Sequence, residues 1–100
     1  MSLLASIQNL FGRQDLIAGL ERIIELLETS EDSDWSSLSA SEIREILRSE
    51  LQKIKAGQDF DKFELAVLFA PTGAMLETAM WNRWSAEYLK IAEIVDKYTV

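Results

Sequence analysis

Apolar residues recur along most of the chain at the three- and four-residue spacing of amphipathic helices. No stretch alternates apolar and polar positions convincingly enough to predict a strand. Two apolar stripes lie in the first 27 residues, on either side of Gly12, and they predict one kinked helix or two helices joined by a tight turn. Their positions are Leu3, Leu4, Ile7, Leu10 and Phe11, then Leu16, Ile17, Leu20, Ile23, Ile24 and Leu27.

A polar stretch follows the second stripe. The residues "ETSEDSDWSSLSAS" are rich in serine and acids, which predicts a loop at about 29–40. We expect its large apolar residues, Trp35 and Leu38, to hold the loop against the domain. Ser39 and Glu42 have the spacing of a capping box, which predicts the start of a helix. The expected buried face of that helix is Ile43, Ile46, Leu47, Leu51 and Ile54, and Gly57 is expected to end it.

The next segment is the most apolar of the chain. Asp59 is the predicted N-cap of its helix, and Pro71 is expected to stop it. Because apolar residues fill nearly every position, we expect this helix to be central and the most buried. The residues predicted to line its inner side are Phe60, Phe63, Ala66, Val67 and Ala70, extended by Leu65, Leu68 and Phe69.

The stretch "PTGAMLETAMWNRW" predicts two turns around a short helix. Gly73 supplies a permissive backbone at the first turn, and Asn82 is expected to take the left-handed conformation at the second. Ser85 is the predicted cap of the last helix. We expect Trp84 in the core and Trp81 at least partly exposed. The inner face predicted for the last helix is Tyr88, Ile91, Ala92, Val95 and Tyr98.

These elements predict a single all-α domain over residues 1–100. Several of the helices are short, so the expected architecture is an irregular bundle of five or six short-to-medium helices. Hydrophobic residues make up 48% of the 100-residue chain. This content is sufficient for a core in a domain of that length.

Composition limits the chemistry. The chain has no cysteine and no histidine, which removes disulfides, thiolate chemistry and the commonest transition-metal ligands. The acids at 31–34 do not fit a calcium loop, and Glu21, Glu25 and Glu28 share a helix face that points away from the apolar stripe. Gly73 lacks the remaining residues of a phosphate loop. We therefore expect no enzymatic activity, no catalytic residue, no metal and no cofactor.

Charge indicates the kind of partner. The net charge is −7, and residues 21–50 hold nine acids against three arginines. Such a surface disfavours nucleic acid and anionic membranes and favours a basic protein. The N-terminus lacks the basic region of a signal peptide, and the longest apolar run, Leu65 to Pro71, is far shorter than the ~20 residues of a membrane span. We expect a cytoplasmic protein.

One stretch resembles a motif of small uncharacterised bacterial helical proteins with no assigned activity. The motif runs Leu-Phe-Ala-Pro-Thr-Gly, an acid, Asn-x-Trp and an aromatic-Leu pair. It corresponds here to Leu68, Phe69, Ala70, Pro71, Thr72, Gly73, Glu77, Asn82, Trp84, Tyr88 and Leu89, about a quarter of the chain. Proteins of this type often have glycine where Arg83 and Ser85 stand. The resemblance implies a bacterial origin and a helical fold, and it brings no catalytic residues.

The first functional hypothesis is a non-enzymatic interaction module, of which immunity and antitoxin proteins are one class. An acidic surface would cover a cationic cleft of a basic partner, and exposed aromatic residues would anchor it. The candidate binding residues are Glu25, Glu28, Glu31, Asp32, Asp34, Trp35, Trp81 and Arg83.

Two alternatives remain open. The first is a self-associating structural domain, a homodimer that pairs the stripe Leu3–Leu27 across a two-fold axis. The second is a small-ligand site between Phe60, Phe63, Met75 and Met80, although such residues at helical spacing are more often core.

Overall fold

The computed structural model describes residues 13–71 and 73–100, and within these ranges the chain forms five α-helices and no strand. The helices are α1 (Gln14–Glu28), α2 (Ala40–Lys55), α3 (Lys62–Leu68), α4 (Ala74–Trp81) and α5 (Ser85–Thr99). The predicted all-α irregular bundle is confirmed. The predicted first stripe, Leu3–Phe11, lies outside the described residues, as do Gly12 and Thr72. No described helix is both long and apolar enough to cross a membrane.

Helices α1 and α5 organise the packing. Helix α1 packs against α2 and α5. Helix α5 also packs against α3 and α4, and α2 contacts α4. Among these described helices, α2 and α3 are not a closely packed pair. The predicted stripe of α1 forms the middle of the core, and Leu16, Leu20 and Ile23 are fully buried.

The caps of α2 match the sequence prediction. The Ser39 hydroxyl accepts a hydrogen bond from the Glu42 backbone N–H at 3.1 Å, and the Glu42 carboxylate accepts one from the Ser39 N–H at 3.1 Å. At the other end, Gly57 has φ = 72°. A side chain would be strained in that conformation, which is the usual reason for glycine after a helix. Helix α2 is therefore capped at both ends by the residue types that suit each position.

Helix α3 differs from its prediction in start and orientation. Asp61, not Asp59, is the N-cap, and its carboxylate accepts from the Glu64 N–H at 2.9 Å. The helix is only seven residues long, and it exposes Phe63 and Val67 rather than burying them. The expectation that it is the most buried helix was wrong, because a helix this short packs one face and leaves its other apolar face outside. Its buried residues are Leu65 and Leu68, followed by Phe69.

The turn into α4 depends on the small size of Gly73 rather than on unusual backbone angles. Gly73 is the N-cap of α4 with φ = −80°, which any residue can adopt. A Cβ atom there would lie 2.8 Å from the Leu68 carbonyl oxygen and 3.0 Å from those of Val67 and Ala70. The end of α3 therefore approaches the start of α4 so closely that only glycine fits.

The turn between α4 and α5 places the left-handed residue one position later than predicted. Arg83 has φ = 65°, whereas Asn82 has φ = −100°. The Trp84 N–H donates to the Ala79 carbonyl at 2.9 Å, and the Arg83 N–H donates to the Met80 carbonyl at 3.3 Å. These two bonds form the Schellman arrangement at the end of α4. Arginine thus occupies the position where helices usually have glycine.

Two further expectations concern the start of α5. Ser85 is not its cap, since the N-cap position belongs to Trp84 and no side chain caps the helix end. Trp84 is 7% exposed and Trp81 is 44% exposed, which confirms the expected difference between the two tryptophans.

The loop before α2 is held by polar contacts and not by Trp35, whose side chain is 79% exposed. The Asn82 side chain exchanges two hydrogen bonds with the Glu31 backbone, each 2.8 Å. The Trp84 indole N–H donates to the Ser30 hydroxyl at 3.0 Å, and Asp32 accepts from the Ala40 N–H at 2.8 Å. Leu38 packs partly against the core, as expected.

Candidate functional site

An apolar groove runs between the first half of α2 and α3, with a volume of about 560 Å³. The loop before α2 and the start of α4 close one end of it. Its apolar lining consists of Leu38, Ile46, Phe63, Val67, Ala70 and Ala74. The groove exists because α3 packs on α5 and not on α2.

The attachment of α3 to α5 centres on Tyr88. Its hydroxyl donates to the Phe69 carbonyl at 3.0 Å, and its ring stacks on the Phe69 ring with centroids 5.8 Å apart. Burial, with a smaller contribution from Asp96, raises the pKa of Tyr88 to about 12. This donor therefore keeps its proton at every physiological pH. The contact fixes which face of α3 is buried, and therefore which face lines the groove.

Phe63 and Val67 are the most exposed apolar residues of the groove. Their side chains are 79% and 53% exposed. Their spacing of four residues puts them next to each other on the same face of α3. Single exposed apolar residues are common on protein surfaces, but adjacent ones along a concave surface are typical of binding sites. This pair therefore makes the groove the candidate site.

Carboxylates border the groove at the start of α3. Glu50 is buried, and its carboxylate accepts from the Asp61 backbone N–H at 2.7 Å and from the Lys53 ammonium at 3.0 Å. Glu64 and Asp61 lie on the groove itself. Partial desolvation, followed by the charges of Glu50 and Asp61, raises the pKa of Glu64. The negative charge at this rim is thus incompletely compensated.

The acidic face predicted from sequence has a different character. Glu21, Glu25 and Glu28 surround a shallow depression of about 360 Å³ that also includes Arg48. Glu25 pairs with Arg22, and the Glu28 carboxylate lies 3.3 Å from the Arg48 guanidinium. The Glu21 carboxylate lies 3.6 Å from the Lys55 ammonium. The fold therefore brings the three glutamates together, but each of them has a cationic neighbour.

The remaining predicted binding residues lie on the loop and at the end of α4. The Asp32 carboxylate caps α2, which gives it a structural role. Trp35 and Asp34 are exposed on the loop, and Glu31 is joined through Asn82 to the α4 end that holds Trp81 and Arg83. The predicted residues therefore lie on separate parts of the surface, the outer face of α1 and the loop with the α4 end.

Sequence reasoning missed the groove because it assigned Phe63 and Val67 to the core. The sequence does contain a sign that some of these residues are exposed. Residues 63–69 carry apolar side chains around the helix, yet a short helix that ends before Pro71 can bury only one of its faces. Ile46 and Leu38 complete the groove and are only partly buried.

The alternative ligand site is not supported. Of its four residues only Phe63 lines the groove, while Met75 is fully buried and Met80 is 56% exposed. Within residues 13–71 and 73–100, no three acidic side chains are grouped in a way that could hold a metal ion.

Comparisons with protein-family models, curated proteins and solved structures give no match to this chain. The resemblance over residues 68–89 therefore stays a prediction, and the function is argued from the surface itself.

Proposed function

We propose that this protein is a non-enzymatic interaction module that binds an amphipathic, basic helix of a partner protein in the groove between α2 and α3. The observation that carries the proposal is the exposed pair Phe63 and Val67, bordered by the carboxylates of Asp61 and Glu64. Immunity- or antitoxin-like inhibition is the form of this function that suits an acidic protein of this size.

The apolar lining supports a helical occupant. Helices that dock in grooves insert side chains spaced three and four residues apart, and Phe63 and Val67 present a matching spacing on the groove wall. Removing a side chain such as valine or phenylalanine from water contributes about 1.5–3 kcal/mol. Burial of these two residues by a partner therefore supplies a substantial part of a micromolar affinity.

The rim supports a basic occupant. Glu64 is crowded by Glu50 and Asp61, and a lysine or arginine from a partner would offset that repulsion. The net charge of −7 also steers cationic partners toward the protein. The glutamates of α1 offer less to a partner, because Arg22, Arg48 and Lys55 already pair with them.

A designed peptide tests this proposal while the natural partner is still unidentified. The probe is a fluorescent helix of about 14 residues with leucines on one face and lysines on the other, and the control peptide has glutamate in place of lysine. We expect the lysine peptide to bind the protein, measured by fluorescence anisotropy, and the glutamate peptide to bind much more weakly.

Matched variants locate the binding surface. Val67→Asp should weaken binding at least about tenfold, because it replaces apolar burial with a charge that must be desolvated. The double variant Glu25→Gln, Glu28→Gln serves as control and should leave affinity nearly unchanged. The proposal is wrong if Val67→Asp binds normally, or if the double variant loses binding instead.

A further inference from the structure

We propose that Trp35 extends the docking site, and that its indole ring and the Asp34 carboxylate bind a lysine or arginine of the partner helix. This contact lies at the end of the groove opposite the acidic rim of Asp61 and Glu64. The partner helix therefore carries two basic positions about two turns apart, one for each end of the groove. The inference rests on the proposed function, because it needs a helix in the same groove.

Two sets of contacts define the ends of the groove. At one end, the Glu50 carboxylate accepts from the Asp61 N–H at 2.7 Å, so the second half of α2 adjoins the start of α3. At the other end, the Ser36 hydroxyl lies 3.4 Å from the carbonyl oxygen of Ala74, a residue that lines the groove. The loop before α2 therefore adjoins the start of α4 there. Trp35 directly precedes Ser36, which places it at this loop end.

Hydrogen bonds within the loop fix the backbone at Trp35. Its N–H donates to the Ser33 hydroxyl at 3.1 Å, and the Ser36 N–H donates to the Ser33 carbonyl at 3.2 Å. Ser33 is buried, and the Ser36 hydroxyl donates to the Leu38 carbonyl at 2.7 Å. The Trp35 side chain is nevertheless 79% exposed. A tryptophan on a fixed backbone offers a large contact area and loses little conformational entropy on binding, which is typical of interface anchors.

The charge beside Trp35 favours a cation as the bound group. Asp34 is exposed, and within residues 13–71 and 73–100 its carboxylate belongs to no ion pair. An indole face attracts a cation more strongly than the face of any other aromatic side chain. The neighbouring carboxylate adds a second attraction for the same cation. A lysine or arginine therefore suits this position better than an apolar or acidic side chain.

The length of the groove sets the spacing of the two basic residues. Helix α3 has seven residues, and the groove follows it from Asp61 to Ala70. A helix of that length spans about 10 Å. A partner helix rises about 1.5 Å per residue, so about seven residues separate the side chains that reach opposite ends. Positions seven apart lie on the same side of a helix, and the apolar residues between them can face Phe63 and Val67.

A double-mutant cycle with two-lysine peptides tests the inference. The parent peptide is a fluorescent helix of about 14 residues with leucines on one face, glutamines on the other and only two lysines, seven residues apart. Each single-lysine peptide has glutamine in place of one of these lysines. Fluorescence anisotropy measures the affinity of all three peptides for the wild-type protein, Trp35→Ala and Glu64→Gln.

We expect each protein variant to be sensitive to a different lysine. Trp35→Ala should weaken binding of the two-lysine peptide about fivefold, as expected for loss of a cation–π contact. It should have no further effect once one particular lysine is absent, and Glu64→Gln should show the same coupling to the other lysine. A peptide with its two lysines four residues apart should bind the wild-type protein several-fold more weakly, because it cannot reach both ends.

Three further variants provide controls. Trp81 is also exposed, at 44%, but it is the last residue of α4 and Ala74 is the first. Trp81→Ala should therefore leave the affinity unchanged. Trp35→Phe should retain most of the affinity and Trp35→Leu should lose it, since only phenylalanine keeps an aromatic face for the cation. Unchanged melting temperatures in the Trp35 variants exclude an effect through folding.

Several results would overturn the inference: normal binding by Trp35→Ala, equal losses in Trp35→Ala and Trp81→Ala, coupling of Trp35 and Glu64 to the same lysine, or equal affinity of the two peptide spacings. If Val67→Asp still weakens binding in those cases, the proposed function stands without the contact at Trp35. Failure of every lysine-containing peptide to bind the wild-type protein contradicts both proposals.

Discussion

The two halves of the bundle differ in helix length, in the residues at their helix ends and in the apolar side chains that they expose. In the half formed by α1 and α2, the helices are 15 and 16 residues long, α2 has a capping box and a C-terminal glycine, and the glutamates of α1 have cationic neighbours. In the half formed by α3 and α4, the helices are seven and eight residues long. There Phe63 and Val67 are exposed, and Arg83 holds a left-handed conformation.

The difference matters because departures from local preference concentrate where a surface serves something other than folding. The α1–α2 half caps α2 at both ends, pairs the glutamates of α1 with cations and buries most of the α1 stripe, although α1 itself has no side-chain cap. The α3–α4 half leaves apolar side chains and carboxylates without full compensation among the described residues. We therefore expect paired substitutions, one in or contacting the α3–α4 half and one away from it, to have unequal consequences.

The largest expected effect comes from the carboxylate that joins the halves. Glu50→Ala should lower the free energy of unfolding by about 2–3 kcal/mol, since it leaves the Asp61 N–H unsatisfied and opens a cavity beside Lys53. Urea denaturation of the variant measures this loss. Glu25→Ala is the control in α1, where an exposed ion pair contributes little. Equal losses in the two variants would contradict the role of Glu50 in joining α2 to the start of α3.

The next comparison concerns two glycines. Gly73→Ala should cost about 1–3 kcal/mol, because its Cβ would meet backbone carbonyl oxygens that cannot move without disturbing α3. Gly19→Ala in α1 should be close to neutral, since alanine favours helix. Its Cβ would lie 3.1 Å from the Ile91 side chain, which can adjust. Thermal unfolding of both variants checks the order, and a larger loss for Gly19→Ala would reverse it.

The third comparison uses two equivalent helix ends. Arg83→Gly should raise the free energy of unfolding by about 1 kcal/mol, and Gly57→Ala should lower it by about 1 kcal/mol, because both positions have positive φ. Chemical denaturation measures both changes. If Arg83→Gly instead destabilised the protein, contacts of the arginine side chain would outweigh its backbone strain.

The smallest expected effect is on how the melting temperature depends on pH, and it has opposite signs for substitutions of Glu64 and Glu87. The folded state raises the pKa of Glu64 above 4.5. Ionisation of Glu64 therefore opposes folding at neutral pH. Glu64→Gln should raise the melting temperature at pH 7, and this gain should vanish below about pH 4, where Glu64 is protonated in both states.

Glu87 provides the matched control. Its hydrogen bond to Arg22 lowers its pKa below 4.5. The stabilisation from Glu87 is therefore present at neutral pH and is lost as pH falls through the lowered value. Glu87→Gln should lower the melting temperature at pH 7 and not at low pH. Shifts of the same sign in both variants would argue against an uncompensated charge at the groove.

Much of the fold follows from the sequence. The stripe of α1, the Ser39–Glu42 box and the glycine at 57 each act through residues close in the chain, so local pattern was enough to predict them. The contrast between Trp84 and Trp81 also followed, because two tryptophans three residues apart at a helix end cannot easily both be buried.

The groove could not be predicted in the same way. In α3 the apolar residues surround the helix, so periodicity does not distinguish the face with Leu65 and Leu68 from the face with Phe63 and Val67. That choice depends on the distant contact between Tyr88 and Phe69. The pairing of α1 glutamates with Arg48 and Lys55 likewise depends on tertiary contacts, and the number of acids in the sequence does not predict it.

The most direct test of the central claim is to map the lysine peptide on the isotopically labelled protein by backbone amide chemical shifts. If the groove is the interaction site, the largest shifts will fall on residues 61–68 and near Leu38 and Ile46, and little will change along the outer face of α1. Shifts centred on Glu21, Glu25 and Glu28 would contradict the account and return the binding site to the acidic face.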